Sequence, residues 1–301
     1  MKLRLSQCLF VLLAVCAPLV RPAGAAEATP PVAAKPTLFV AGDSTANSSG
    51  RILGWAAAST FGVCFDPAKV NVMNGAAGGR SSRTFISDGS WDKILSRLQP
   101  GDYVLIQFGH NDIGGINEEP PGSKLPLRAR GTIPGLGEET QEIDNVVTKQ
   151  HEVVHTFGWY LRKYLAETRA KGATPILLTL TVRNEWKDGK IERGPGRYSE
   201  WTAAVAKAEH VPLVDLTAMR ADADEKLGQD KLAPLYSTTD TTHSSPAGAA
   251  LNAEAIVAGL KALAHSPFVA LLSEHGKSVP AAEAKYVADN APERTAVLPA
   301  P

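Results

Sequence analysis

Four short clusters carry residue types that could perform acyl chemistry. Gly42-Asp43-Ser44-Thr45 places a serine just behind an apolar run, on a tight glycine turn. A hydroxyl exposed there becomes a nucleophile once a base reaches it. Asn74-Gly75-Ala76-Ala77-Gly78-Gly79-Arg80-Ser81 follows a second apolar run. Glycines in such a turn let a backbone N–H face a ligand with no side chain in the way. Gly109-His110-Asn111-Asp112 closes a third run, and Asp240-Thr241-Thr242-His243 precedes a predicted helix. Three-residue spacing lets the aspartate hold one ring nitrogen while the other takes a serine proton. Taken singly, these clusters also read as a capping serine, a plain loop, a turn and a polar surface loop. Their order along the chain and their positions at strand ends favour a shared site.

A competing motif is His151-Glu152-Val153-Val154-His155, which matches H-E-x-x-H on a predicted helix. That pattern sets two zinc ligands one turn apart with a glutamate base. Gly158 even falls on the glycine of the extended form. Leu161, however, replaces its third histidine, and Pro175 stands about twenty residues beyond His155, where another zinc-protease type keeps a glutamate. A catalytic zinc needs three protein ligands, so the pair reads as surface or loop-contacting histidines. No metal or cofactor is expected.

The elements that must position these clusters are strands ending at them. Thr37–Gly42, Val70–Asn74, Asp102–Gly109, Thr174–Leu180 and Val211–Leu216 are continuously apolar, as parallel strands covered on both faces are. Helical spacing is clearest over Lys149–Lys171, where Val154, Phe157, Leu161 and Leu165 recur before Gly172. The last helix is predicted to start after Ser245-Pro246. This alternation predicts a three-layer α/β/α sandwich on a five-stranded parallel sheet, with ligands beyond the C-terminal strand ends. Residues 113–144 form a long Gly/Pro-rich loop at that edge, expected to be functional or disordered. The tail from 266 to 301 has little periodicity and is expected to be partly disordered.

The 44% hydrophobic and 21% charged composition is ordinary for a globular domain. The 31 basic residues balance the 31 acidic ones, so charge gives no reason to expect nucleic acid or an anionic membrane as partner. Residues 1–26 read as a secretory signal: Lys2 and Arg4, then the apolar run Leu9–Val20, then small residues at Ala23-Gly24-Ala25. A periplasmic or secreted protein is therefore expected. Only Cys64 lies beyond that signal, so no internal disulfide is available and stability must come from the core.

Together the four clusters resemble the blocks of the SGNH/GDSL hydrolases: GDS, a glycine block, G-x-N-D and D-x-x-H. The resemblance spans roughly Pro36 to His265 and implies the flavodoxin-like form of the sandwich. It also implies Ser44 as nucleophile, His243 as base and Asp240 as its orienter. The implied oxyanion hole comprises the N–H groups of Ser44 and Gly79 (Gly78 adjoins it) and the Asn111 amide. GDST in place of GDSL, the block Asn74–Arg83, VVHTFGWYLRKYLAETRAKGATPI and RNEWKDGK are similar to the rhamnogalacturonan acetylesterase branch. That branch implies an acetylated pectin substrate, whose galacturonate carboxylates Arg80 and Arg83 could contact. Trp186 and Trp201 could stack on sugars or lie buried. The alternatives are a lipase or acyl-thioesterase, which would need an apolar acyl channel, and a glycan-binding protein without catalysis. All four clusters retain the chemically competent residue type, which argues against the last.

Overall fold

The computed structural model describes residues 35–48, 53–118, 128–264 and 266–290. The signal-like stretch 1–26, residues 119–127 of the long loop and residues 291–301 of the tail lie outside them. Six strands form the central sheet: β1 (Thr37–Gly42), β2 (Asn71–Asn74), β3 (Tyr103–Gln107), β6 (Thr174–Leu178), β9 (Leu213–Val214) and β10 (Val287–Ala288). They lie in the order β10-β9-β6-β3-β1-β2, all parallel except β10. Two antiparallel hairpins stand apart from it, β4 (Thr140–Asp144) with β5 (His151–His155) and β7 (Trp186–Lys187) with β8 (Lys190–Ile191).

Strand alternation divides the core between the two faces. Leu38, Val40, Leu105, Ile176, Leu178 and Val214 pack with Ile256, Val257 and Leu260 of α7 (Pro246–Ala262). Phe39, Ala41, Val104, Ile106 and Leu177 pack on the other side with Leu161, Tyr164 and Leu165 of α3 (Phe157–Ala170). The same face takes Phe85 of α1 (Ser82–Ser87), Trp91 and Ile94 of α2 (Ser90–Leu95), and Val205 of α4 (Tyr198–Ala208). The remaining helices are α5 (Leu216–Leu227), α6 (Gln229–Leu232) and α8 (Glu274–Ser278). With apolar side chains on both faces, each strand needs a covering layer on each side, which is why its sequence is a continuous apolar run.

The chain winds outward from β1 in both directions, to β2 on one side and β3 on the other. Loops leaving neighbouring strands at such a switch point diverge and open a crevice. Ser44 follows β1 and Asn111 follows β3, so the crevice lies between them.

Three expectations change. Residues 151–155 form strand β5 rather than the start of a helix, because they pair with β4 from Thr140↔His155 to Asp144↔His151. The helix begins at Phe157, where the Thr156 hydroxyl caps the Trp159 N–H at 3.1 Å. The stretch after 265 is folded as far as Asn290. Phe268, Leu272 and Val279 enter the core, and β10 adds a sixth, antiparallel strand through Val287↔Val214. Two residues of strand are too few to show a period. Finally, the long loop ends in β4, whose single buried residue is Ile143.

Candidate active site

Ser44 is half-buried in the turn that closes β1, where Asn47 N–H donates to Asp43 O at 3.0 Å. The turn is packed tightly. A Cβ at Gly42 would stand 3.2 Å from both Ala46 Cβ and Gln107 O. Gln107 ties three strand ends together, accepting from Trp55 Nε1 at 2.8 Å and donating to Thr179 O at 2.8 Å. It also accepts the Thr45 hydroxyl at 3.3 Å.

His243 arrives from the segment before α7, 199 residues away, and its Nε2 stands 2.8 Å from Ser44 Oγ. Its Nδ1 lies 3.0 Å from both carboxylate oxygens of Asp240. Asp240 Oδ1 also accepts the N–H groups of Thr242 at 2.8 Å and His243 at 2.7 Å. Burial alone would raise the Asp240 pKa. The bonds from the His243 backbone and side chain and from Thr242 outweigh it and hold the carboxyl below its usual range. Asp240 therefore stays ionised and fixes the ring tautomer. The segment itself is clamped: Ser237 N–H donates to His243 O at 2.7 Å, and Asn184 N–H donates to Thr241 O at 2.8 Å. Thr241 Oγ1 donates to Glu185 at 2.7 Å.

The glycine block is stitched to the serine turn, with Ala77 N–H donating to Gly42 O at 2.9 Å and Asn74 Nδ2 to Ala46 O at 2.9 Å. Gly79 adopts φ +73°, a conformation that favours glycine, and a Cβ there would project into open space. Neither the Ser44 nor the Gly79 N–H is bonded among the described residues. Asn111 is anchored by one N–H to Arg80 O at 3.0 Å, which leaves its second N–H to donate elsewhere. The arrangement can deprotonate a hydroxyl through an oriented imidazole and offer free donors to an oxyanion.

Below these groups lie residues to which sequence reasoning assigned no role. His110 is buried with Nε2 3.1 Å from Thr181 Oγ1. Burial, and then the charges of Arg183 and His243, push its pKa down to about 3, so it stays neutral beneath the site. Asp43 is fully buried, and one of its oxygens accepts both the N–H and the hydroxyl of Thr45 at 2.8 Å. Burial raises its pKa to about 6, against those bonds. Asp112 accepts from Ser82 Oγ at 2.5 Å and Ser82 N at 3.1 Å. Burial and the Asp43 charge still raise it to about 7. Nothing local in the sequence marks burial of this kind.

A carboxyl whose pKa rises on folding binds its proton more tightly in the folded state. The stability it contributes is full below the ordinary value of 3.8 and is lost as the pH climbs through about 7. Asp112→Asn, which keeps the acceptor and removes the charge, should flatten this decline between pH 4 and 8. The gain at pH 8 is expected to be on the order of 2 kcal/mol, from a shift worth about 1.4 kcal/mol per pKa unit before relaxation. Denaturant unfolding across that range checks it, and an unchanged slope would count against a protonated, buried Asp112.

Arg83 is not available to a ligand. It is 1% exposed, paired with Glu152 at 2.7 Å through two nitrogens, and bonded to the carbonyls of Ile116 at 2.9 Å and Gly131 at 2.8 Å. It anchors the long loop. Arg80 is half-exposed and engaged with Asp88 and Gly78 O. Trp186 and Trp201 are both partly buried and pack against core clusters. Cys64 is buried, and burial pushes its thiol up to about 11. The H-E-x-x-H residues do not converge. On a strand, positions four apart are separated by about 13 Å, against about 6 Å on a helix. His151 is exposed, His155 stacks on Trp159 with ring centroids 3.7 Å apart, and Glu152 is spent on Arg83.

The profile of the GDSL-like lipase/acylhydrolase family matches residues 40–251, from within β1 into α7. The chain belongs to that family, and so to the carboxylic ester hydrolases. It is 33% identical over 227 residues to a rhamnogalacturonan acetylesterase of Emericella nidulans, covering 75% of this chain and 85% of that one. It is 30% identical over 258 residues to the rhamnogalacturonan acetylesterase RhgT of Bacillus subtilis, covering 80% and 96%. The crystal structure of YxiM from Bacillus subtilis superposes with a TM-score of 0.57 at 26% identity. That match covers 76% of this chain and 56% of that one.

Proposed function

We propose that this protein is a serine acetylesterase acting on an acetylated plant cell-wall polysaccharide, rhamnogalacturonan. The observation that carries the reading is the hydrogen bond between Ser44 Oγ and His243 Nε2 at 2.8 Å, with Asp240 behind the ring. In this reading Ser44 attacks the acetyl carbonyl as His243 takes its proton. The N–H groups of Ser44 and Gly79 and the Asn111 amide stabilise the oxyanion. The tetrahedral intermediate then collapses, the ester C–O bond breaks, and His243 gives the proton to the sugar oxygen, which leaves as a hydroxyl. Water, deprotonated by the same imidazole, releases acetate from the acyl-enzyme. The likeness to two rhamnogalacturonan acetylesterases over most of their lengths supports the choice of polymer.

Acetate release from acetylated rhamnogalacturonan, acetylated xylan and p-nitrophenyl acetate tests the substrate. The expected result is a kcat/KM on rhamnogalacturonan at least about tenfold above that on xylan. Release from the small ester alone would keep the chemistry and remove the polymer.

A further inference from the structure

Two guanidinium groups beside the site lack the partners that the other inward-facing arginines have. Arg83 is saturated by Glu152 and two carbonyls, Arg162 by Glu138 and the carbonyls of Leu136 and Gly137, and Arg220, although its Nε too is buried without an acceptor, pairs closely with Asp224. Arg183 and Arg130 differ.

Arg183 follows β6. Its Nη2 reaches His110 O only at 3.4 Å, and its Nη1 stands 4.0 Å from Glu185 Oε1, the oxygen that already accepts the Thr241 hydroxyl. Its Nε is buried with no acceptor. Arg130 comes from the long loop and lies across Gly114. A Cβ at Gly114 would stand 3.3 Å from Arg130 Cγ and Nε and 3.1 Å from Asn111 O, and Gly114 N–H donates to that same carbonyl at 3.1 Å. The Arg130 Nε is also buried without an acceptor, and its side chain forms no hydrogen bond or ion pair among the described residues.

Both therefore border the His110-Asn111 corner, one from the β6 side and one from the loop. Asp43, beneath Ser44, acts electrostatically on Arg130 and is itself acted on by Arg183. Burial, then the like charge of Arg128, lowers the Arg130 pKa, and the weaker opposing pull of Asp43 does not offset them. A partly buried guanidinium without a close carboxylate is costly to keep, and its planar fork of donors matches a carboxylate.

We propose that Arg130 and Arg183 form an anion-binding subsite at the Asn111 edge of the active site. It takes the carboxylate of a uronic acid of the backbone close to the acetyl group being removed. This rests on the reading of the chain as a polysaccharide acetylesterase. It adds that the enzyme selects acidic over neutral backbones, and that the selecting residues are these two rather than Arg80 or Arg83.

The test measures acetate release from acetylated rhamnogalacturonan and from the same polymer with its carboxyls methyl-esterified. It compares wild type with Arg130→Gln, Arg183→Gln and the corresponding lysine variants, each shown to be folded by thermal melting. For wild type, KM should rise on the order of tenfold on the methylated polymer. Each glutamine variant should show a similar rise on the acidic polymer with kcat little changed, and should discriminate less between the two. Lysine, which keeps the charge and loses the fork, should recover part of the difference. Equal wild-type KM values on the two polymers, or variants that keep the full preference, would overturn the subsite and leave the esterase reading standing. No acetate from either polymer would overturn both.

Discussion

Ser44→Ala is expected to lower kcat for ester hydrolysis by at least about 10⁴-fold while leaving unfolding stability within about 1 kcal/mol of wild type. Among the described residues the Ser44 hydroxyl bonds only His243, and the imidazole keeps its two contacts to Asp240 when that hydroxyl is gone. Nothing buried is left without a partner, so the fold has little to lose. In the proposed mechanism what disappears is the nucleophile, and no other hydroxyl is hydrogen-bonded to the same ring nitrogen among the described residues. A residual rate above solution is still expected, because the free N–H groups and the Asn111 amide remain to bind an oxyanion. Single-turnover and steady-state assays beside a denaturant melt separate the two effects. Activity within tenfold of wild type would remove Ser44 from the nucleophile role.

The second large effect falls on stability. Arg83→Met should cost about 3 kcal/mol, because it removes one partner of a buried ion pair and leaves the other behind. Among the described residues the Glu152 carboxylate would keep only Asn145 Nδ2 at 2.7 Å, and the carbonyls of Ile116 and Gly131 would lose their donor. Glu152 is 21% exposed, so water recovers part of the loss, which sets the figure at the low end for a buried pair. Equilibrium unfolding measures it, and a change below about 0.5 kcal/mol would show that Arg83 does not clamp the loop. Its neighbour Ser82 holds Asp112, so loosening this region should also raise KM, the loop losing its anchor beside Asn111. The H-E-x-x-H match is thus explained structurally: its glutamate holds Arg83, and its histidines lie on a strand.

What the sequence determined by itself is what short-range burial patterns can encode. Thr37–Gly42 is apolar at nearly every position because both of its faces are covered, so its type and C-terminal end were legible, whereas the run read from Thr174 to Leu180 is strand only as far as Leu178. Ser245 followed by Pro246 marked the start of α7, with Ser245 Oγ accepting Gly248 N–H at 3.3 Å. Since each chemical cluster abuts a strand end or that helix start, reading the elements placed the clusters on one edge.

Only the tertiary structure decided the rest, because it depended on partners distant in the chain. Val154, Phe157 and Leu161 fit helical spacing, yet residues 151–155 pair with β4 and become strand. The two residues of β10 are strand solely because β9 offers an open edge. Arg80, Arg83, Arg130 and Arg183 look alike as letters. Their difference lies in acceptors: Glu152 stands 69 residues from Arg83, while the buried Nε atoms of Arg130 and Arg183 have none. Periodicity reports which side of an element is buried. Which charge lies opposite which is set by how the loops cross above the sheet, and no local pattern carries that.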